Sequence, residues 1–258
     1  GYNLLNGDDY TMLMKEEFYN PAQSSTATTN INELNYNKSW SEYENFNNNT
    51  DWVKAVTQFG QAHNHYLTIT GGGEKANFRI SAGYDHETGS IIKQVLDRFT
   101  TRVALDYFVS DRIKIVTNIA MTYTNNKKNY SGSLNNNSDL LSMAYIRMPN
   151  LSIYEQDSYG NNTKDYYNML SNSSSELSDQ RSSVNPVALA NLAKNDESSF
   201  NIEPEFQLRY NLLGLSEEQT QLTYEGKIVF NIFNRYNDTF YPRSEERRVG
   251  KECSFRCR

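Results

Sequence analysis

The sequence predicts an all-β protein: an antiparallel, up-and-down sheet with one apolar and one polar face, built to cross a membrane as part of a barrel. Three observations predict it. Six segments alternate strictly between apolar and polar residues, the mark of a strand with one dry and one wet face. The connections between them run short, long, short, long. The chain of 258 residues is only 37% hydrophobic, with a mean hydropathy of -0.75, and is too polar to fill a large core although Tyr (19) and Phe (12) are plentiful.

The elements follow in order. His65, Leu67 and Ile69 share one face of a short strand, with Tyr66, Thr68 and Thr70 opposite. Ala76, Phe78, Ile80, Ala82 and Tyr84 then oppose Asn77, Arg79, Ser81 and Gly83. In the third strand Phe99, Thr101, Val103, Leu105 and Tyr107 oppose Arg98, Thr100, Arg102, Ala104 and Asp106. The fourth sets Ile113, Ile115, Thr117, Ile119, Met121 and Tyr123 against Lys114, Val116, Asn118, Ala120 and Thr122. "FNIEPEFQLRYNLL" sets Phe200, Ile202, Phe206, Leu208, Tyr210 and Leu212 against Asn201, Glu203, Glu205, Gln207, Arg209 and Asn211. The last strand sets Leu222, Tyr224, Ile228, Phe230 and Ile232 against Gln221, Thr223, Glu225, Lys227 and Asn231. Pro204 cannot donate to a ladder, so a bulge is expected there.

Tight turns are expected at "GGGEK" (71–75), "SDR" (110–112) and "GLSEEQ" (214–219), and long connections before residue 65, over 85–97 and over 126–198. One rim of tight turns and one of long loops is the plan of a transmembrane β-barrel, whose strands of ~10 residues alternate apolar-out and polar-in. Tyr84, Tyr107, Tyr123 and Tyr210 lie near strand ends on the apolar face, where an aromatic girdle sits. The apolar face then packs on lipid and needs no protein core. A slip of one residue would turn Arg79 and Lys227 into lipid, at ~2–4 kcal/mol for each basic residue at the midplane, and Glu203 at somewhat less. A soluble sandwich, in which two such faces meet, is the alternative. Six strands leave an edge that lipid cannot satisfy, so the chain is expected to be a piece of a larger barrel; the lack of an initiator Met and of a signal peptide points the same way.

The last sixteen residues, "RSEERRVGKECSFRCR", differ from the rest. They hold both cysteines, Cys253 and Cys257, and without them 19 basic residues face 28 acidic ones, a net charge of -9. They resemble translated adapter or vector sequence, and residues 243–258 are expected to be a non-native tail. Two cysteines alone fall short of a zinc site. An acidic body lacking clustered Lys and Arg argues against nucleic acid. No run of ~18 apolar residues could form a transmembrane helix.

Several motifs resemble the SusC/RagA family of TonB-dependent outer-membrane transporters of Bacteroidetes. They are Asn49-Thr50-Asp51-Trp52, Asn64-His65, Gly71-Gly72 with Glu74-Lys75, Gly83-Tyr84, Glu87-x-Gly89-x-Ile91, Arg98-Phe99, Leu105-Asp106 and the run Val109 to Ile115. "LLNGDDYTMLMKEEFYN" resembles a helical segment that such proteins carry shortly after their plug, and "AYIRMPNLSIYEQDSYGN" and "NPVALANLAKND" resemble an external loop. The resemblance implies a fragment of a 22-stranded barrel, about strands 2–7. Residues 1–64 would be an extracellular, partly helical loop segment after the plug and first strand, and residues 65–242 a partial barrel. It also implies a bacterial outer-membrane location, a SusD-like surface lipoprotein, energy from TonB through an N-terminal part outside this chain, and an oligosaccharide or oligopeptide substrate.

Candidate chemistry is sparse. Three histidines near one sheet rim supply no nucleophile, base and orienting group, so no catalytic residue, and hence no enzyme, is expected. His63 and His65 are either metal ligands sharing a strand face or a loop residue and a rim position; the resemblance at Asn64-His65 favours the latter, and no metal or cofactor is expected. "DSYGNNTKD" (157–165) lacks the spacing of a calcium loop and is expected to be a polar turn. "GGGEK" is a turn without the Lys-Ser/Thr of a phosphate loop. Asn37-Lys38-Ser39 would be glycosylated only in a suitable secretory context. Aromatic residues in the long loops are the candidate ligand or partner contacts: Trp40, Tyr145 and Tyr154 could stack under a sugar ring, or pack within the loops or against the lipoprotein. The second functional class the sequence admits is a secreted or surface β-sandwich that binds glycans.

Overall fold

The computed structural model describes residues 4–20, 22, 31–35, 37–129, 131–134, 137–169, 177–215 and 220–242. The tail at 243–258, with Cys253 and Cys257, lies outside them, as does part of the expected turn at 214–219. In chain order the elements are α1 (Gly7–Tyr19), α2 (Asn32–Asn35), α3 (Tyr43–Phe46), α4 (Trp52–Val56), β1 (Gln61–Gly72), β2 (Ala76–Thr88), β3 (Val95–Ser110), β4 (Ile113–Lys128), β5 (Ser131–Leu134) and β6 (Asn137–Asp139). They continue with α5 (Leu140–Ile146), β7 (Tyr154–Gln156), β8 (Asn162–Tyr166), α6 (Ser178–Ser182), α7 (Pro186–Leu192), β9 (Lys194–Leu213), β10 (Leu222–Val229) and β11 (Ile232–Phe240).

The chain forms two compact units. One is the sheet, drawn from residues 59–128 and 195–239. Its strands run antiparallel in the order β1-β2-β3-β4-β9-β10, and β11 also pairs with β9. The register stacks the apolar positions into rows across the whole sheet. One row is His65, Tyr84, Phe99, Tyr123 and Phe200; the middle row is Ile69, Ile80, Val103, Ile119 and Pro204; near the other rim Tyr210 lies beside both Ile113 and Tyr224. Tyr84 and Tyr123 therefore belong to an aromatic row at one rim, while Tyr107 and Tyr210 lie near the other. Tyr123 and Ile113 are ten residues apart on one strand, roughly 33 Å at ~3.3 Å per residue. At the ~40° tilt of barrel strands this spans about 25 Å, the height of an apolar membrane band. The band is bare: Leu67, Ile69, Phe78, Ile80, Phe99 and Phe206 are all exposed.

Every strand but the last runs past the alternating core of its signal. β2 continues to Thr88 and β3 begins at Val95, so the connection expected over 85–97 shrinks to 89–94. The reason is chemical. Beyond the aromatic row the ends of β2 (Asp85 to Thr88) and β4 (Thr124 to Lys128) are polar on both faces, and β3 opens on Val95-Leu96-Asp97-Arg98 without alternation, so hydropathy carries no period there although the ladder persists. Pro204 also behaves differently from expectation. β9 runs through it without a break and stays paired to β4, with Ile119 opposite. Its carbonyl accepts from the Phe230 N–H at 3.0 Å, so its missing N–H faces the other neighbour. There the partner breaks into β10 and β11 between Val229 and Ile232, which places the irregularity opposite the proline.

Turn chemistry explains the tight rim. Gly73 N–H donates to the Ala76 carbonyl, and the Ser110 hydroxyl accepts from the N–H groups of Arg112 and Ile113. Gly71 lies directly opposite Phe78, and a Cβ there would meet the Phe78 ring at 2.6 Å, so only glycine lets the ring lie flat across its partner strand.

The second unit combines residues 1–58 with 129–194. Its helices start at caps the sequence displays. The side chains of Asn6, Asp51, Asp139 and Asn185 each accept from a backbone N–H in the first turn of α1, α4, α5 and α7, and Pro186 occupies the first turn of α7. Together they enclose a dry core of Ile31, Leu34, Phe46, Trp52, Val56, Met148, Leu151 and Tyr167.

Candidate functional site

The polar face of the sheet carries most of the charge. Asp85 accepts from Arg98 Nε at 2.9 Å and from Asn64 Nδ2 at 2.7 Å. Lys114 meets Asp106 at 2.8 Å, Lys227 meets Glu205 at 2.9 Å and Arg209 meets Glu225 at 2.7 Å. Glu197 receives Lys128 at 2.7 Å and Arg235 at 3.6 Å. All are cross-strand pairs, those between β1 and β10 directly opposite or one step diagonal, and at this exposure each is worth at most about 1 kcal/mol. Their larger effect is on register, because a slip would carry every one of them to the apolar face. Two further arginines on this face, Arg79 and Arg102, meet no carboxylate among the described residues.

Just beyond the aromatic row, on the apolar side, lies a small polar cluster. His86 Nδ1 is 2.7 Å from Asp97 Oδ1, the Tyr84 hydroxyl donates to the same oxygen at 2.8 Å, and His63 stacks on His86 with ring centroids 6.3 Å apart. His63 and His65 do share a strand face, but they sit opposite His86 and Tyr84. Among the described residues no group of three or more His, Cys, Asp or Glu is placed to hold a metal ion.

The helical unit holds a cavity of about 950 Å³, lined by Leu4, Tyr10, Lys54, Tyr145, Ile146 and Pro149, with Trp52 and Arg147 at its edge. Of the three aromatic candidates, only Tyr145 lines it. Trp40 packs on Phe46 with centroids 5.0 Å apart, and Tyr154 stacks on Tyr166 at 5.1 Å. The structure therefore does not bring the three together. Burial raises the Tyr10 hydroxyl to about 12, with Glu17 adding to the shift, so this phenol stays protonated. Burial likewise raises Tyr166, with the charge interaction and hydrogen bond of the Tyr154 hydroxyl adding to the shift.

Arg147 is the residue that sequence reasoning missed. It sits 3% exposed, donates from Nη1 to the carbonyls of Gln180 and Ser183, and lies over the Trp52 ring at 5.8 Å. Burial lowers its guanidinium to about 10. The Trp52 indole in turn donates to the Met148 carbonyl at 2.8 Å, so Arg147 and Trp52 tie α4, α5 and α6 together. The stretch "YIRMPN" reads as a polar exit from a helix, and only the partners from distant segments show the arginine to be a core residue.

The "DSYGNN" segment is a hairpin turn between β7 and β8. Asp157 Oδ1 accepts from the N–H groups of Tyr159 and Asn161, and Gly160 takes the left-handed φ of +78°. The Asn161 bonds, then that of Tyr159, hold the Asp157 carboxyl below the usual range. Its oxygens are thus committed to the turn. Asn37 likewise accepts from Ser39 in a local turn.

Comparison with known proteins places these features. No family model matches the chain. It is 24% identical over 192 residues to TonB-dependent receptor P39 of Formosa agariphila, covering 74% of this chain and 16% of that protein. It is 29% identical over 112 residues to TonB-dependent receptor P3 of the same organism, covering 42% and 11%. To TonB-dependent receptor SusC of Bacteroides thetaiotaomicron it is 31% identical over 84 residues, covering 32% and 8%. Among solved structures it overlays a chain of the RagAB peptide importer in its closed-closed state with a TM-score of 0.64 at 14% identity, covering 92% of this chain and 26% of that one. Another RagAB peptide transporter structure gives 0.58 at 16% identity, covering 91% and 26%. The chain thus spans about a quarter or less of the proteins it matches. It resembles a fragment of a SusC/RagA-type TonB-dependent receptor, an outer-membrane β-barrel, and its relatives are receptors and importers rather than enzymes.

Proposed function

We propose that this chain is a wall segment of an outer-membrane transporter that takes up oligosaccharides or oligopeptides, powered through TonB and working with a SusD-like surface lipoprotein. The observation that carries this is the register of the sheet. Apolar positions from six successive strands fall into continuous rows about 25 Å tall, flanked by aromatics, while ion pairs occupy the opposite face. A soluble sandwich would need a second sheet of similar size over that band, and the other sheets among the described residues have two strands each. The likeness to SusC and to the RagAB peptide importer supports the TonB coupling, the lipoprotein partner and, of the two substrate classes, the peptides. Tyr145, on the cavity of the helical unit, is the aromatic best placed to meet a ligand or partner; Trp40 and Tyr154 serve chiefly to hold that unit together.

The test is electrophoretic mobility of the complete receptor in detergent, before and after heating. A folded barrel migrates faster unheated. A detergent-free soluble monomer would overturn the proposal. Co-purification of a lipoprotein encoded beside it, and binding of oligosaccharide or peptide pools by the pair, then separates the substrate classes.

A further inference from the structure

We propose that the cavity of the helical unit receives the C-terminal end of a peptide, with an apolar side chain against its walls and the free carboxylate toward Lys54. The inference rests on the reading of the chain as part of a transporter, and it selects peptides from the two substrate classes.

The residues that line the cavity fall between 4 and 57 or between 144 and 149, all within the one compact unit. Its volume of about 950 Å³ lies in the range of ligand sites, ~300–1,000 Å³. The apolar walls stand open. Leu4, Leu5, Tyr145 and Ile146 are between 45% and 48% exposed, in the same unit that holds Ile31, Leu34 and Leu151 at 0%.

A glycan needs free donors and acceptors on such walls, and here they are already engaged. The side-chain oxygens of Asn6 and Asn49 accept from the N–H groups of Asp9 and Gly7. The Thr50 and Thr57 hydroxyls donate to the Leu151 and Val53 carbonyls, and the Trp52 indole donates to the Met148 carbonyl. Sugar hydroxyls brought against Leu4, Leu5 and Ile146 would lose water without regaining bonds. An apolar side chain carries no such cost.

The charges of the lining are uneven. It holds two cations, Lys54 and Arg147, and one acid, Asp51. Asp51 caps α4, where its Oδ1 accepts from the Lys54 N–H at 2.9 Å. Neither cation meets a carboxylate among the described residues. Arg147 is 3% exposed, and its Nε and Nη2 have no hydrogen-bond partner there. A buried guanidinium without a counter-charge makes the space beside it positive, and water screens that field poorly. A carboxylate entering the cavity answers it. An Asp or Glu residue would bring the charge without an apolar side chain. The C-terminal residue of a peptide brings both.

The experiment measures binding of a fluorescein-labelled hexapeptide, Gly-Ser-Gly-Ser-Gly-Leu with a free C-terminus, to the complete receptor in detergent. Replacing the terminal Leu by Ser should weaken binding about 10–100-fold, the loss of one buried aliphatic side chain. Amidating the C-terminus should weaken it about 2–5-fold, as for an exposed ion pair. Ile146→Asp should remove the preference for Leu, and Lys54→Gln should remove the penalty of the amide. Ile146 and Lys54 are both exposed, and a fast-migrating unheated band reports a folded barrel in each variant. With that band present, no binding, equal binding of the Leu and Ser peptides, or full competition by an unlabelled glucose hexamer overturns the proposal. Ile146→Asp that releases a co-purifying lipoprotein but keeps the preference for Leu also overturns it, and assigns the cavity to that partner. Absence of the heat-modifiable band in the unsubstituted receptor overturns the transporter reading, and this inference with it.

Discussion

The helical unit and the sheet solve opposite problems with the same polar composition. Every buried hydrophobic residue among those described lies between Ile31 and Val56 or between Leu140 and Ala190, in the helical unit. The sheet buries Ser81 and Gly83 and leaves Leu67, Ile69, Ile80 and Phe206 bare. One unit hides its apolar groups in protein, as a water-soluble domain does. The other turns them outward in rows. Exposed apolar surface of this extent marks an interface, and here its height and aromatic edges fit lipid. The lesson is that low overall hydrophobicity does not mean a missing core when the solvent on one side is itself apolar.

Substitutions can break this contrast, and the largest effect is expected in the helical unit. Trp52→Ala should cost about 3–5 kcal/mol there, through the cavity it leaves and the orphaned Met148 carbonyl. Amide exchange in the complete receptor should show α4 and α5 losing protection while β2 to β4 keep theirs. Protection lost equally in both regions would show that the two are one cooperative body.

In the sheet, Val103→Arg should cost about 2–4 kcal/mol, because it faces lipid near the midplane. Ala104→Arg, one residue on and on the polar face, should stay near neutral. Urea titration of the heat-modifiable band in lipid vesicles would compare them. Equal costs would mean that the face assignment is wrong, and a reversed order would mean a register slip.

Arg147→Met sharpens the comparison between a buried cation and the exposed ones. It leaves the Gln180 and Ser183 carbonyls without their donor, so a loss of about 1–3 kcal/mol is expected. Arg209→Met, which removes a half-exposed pair, should cost no more than about 1 kcal/mol. Both are read from the same exchange and urea experiments.

The smallest effect is the pH response of the 157–161 turn. The Asp157 carboxyl has a folded pKa below its unfolded value, so its contribution is fully present above the ordinary aspartate pKa of ~3.9 and is lost as pH falls through the lowered one. Amide exchange at Tyr159 and Asn161 should therefore hold down to pH ~4 and rise only below it. Asp157→Asn should abolish that acid transition, and a transition persisting in the variant would assign it to another group.

The strands of the sheet were legible because alternation is a local property, read two residues at a time. The strand ends were not, because Asp85, His86, Asp97 and Arg98 pair across the ladder without any hydropathy period. Of the aromatic candidates, Tyr145 reaches a cavity, but Trp40 and Tyr154 find ring partners in Phe46 and Tyr166 that spacing could not disclose. Arg147 escaped notice because its burial depends on Trp52, Gln180 and Ser183, each more than thirty positions away.

By itself, then, the sequence determined the strands, their dry and wet faces and the tight-turned rim, because side-chain period and turn chemistry act within a few residues. Only the tertiary structure decided which strand pairs with which across the connection at 129–193 and that Pro204 breaks its partner strand while its own continues. It also decided that residues 1–58 share a core with that connection, and that Arg79 and Arg102 meet no carboxylate among the described residues. Those outcomes turn on contacts between residues far apart in the chain, where chain entropy and packing choose among many pairings that local pattern leaves equal.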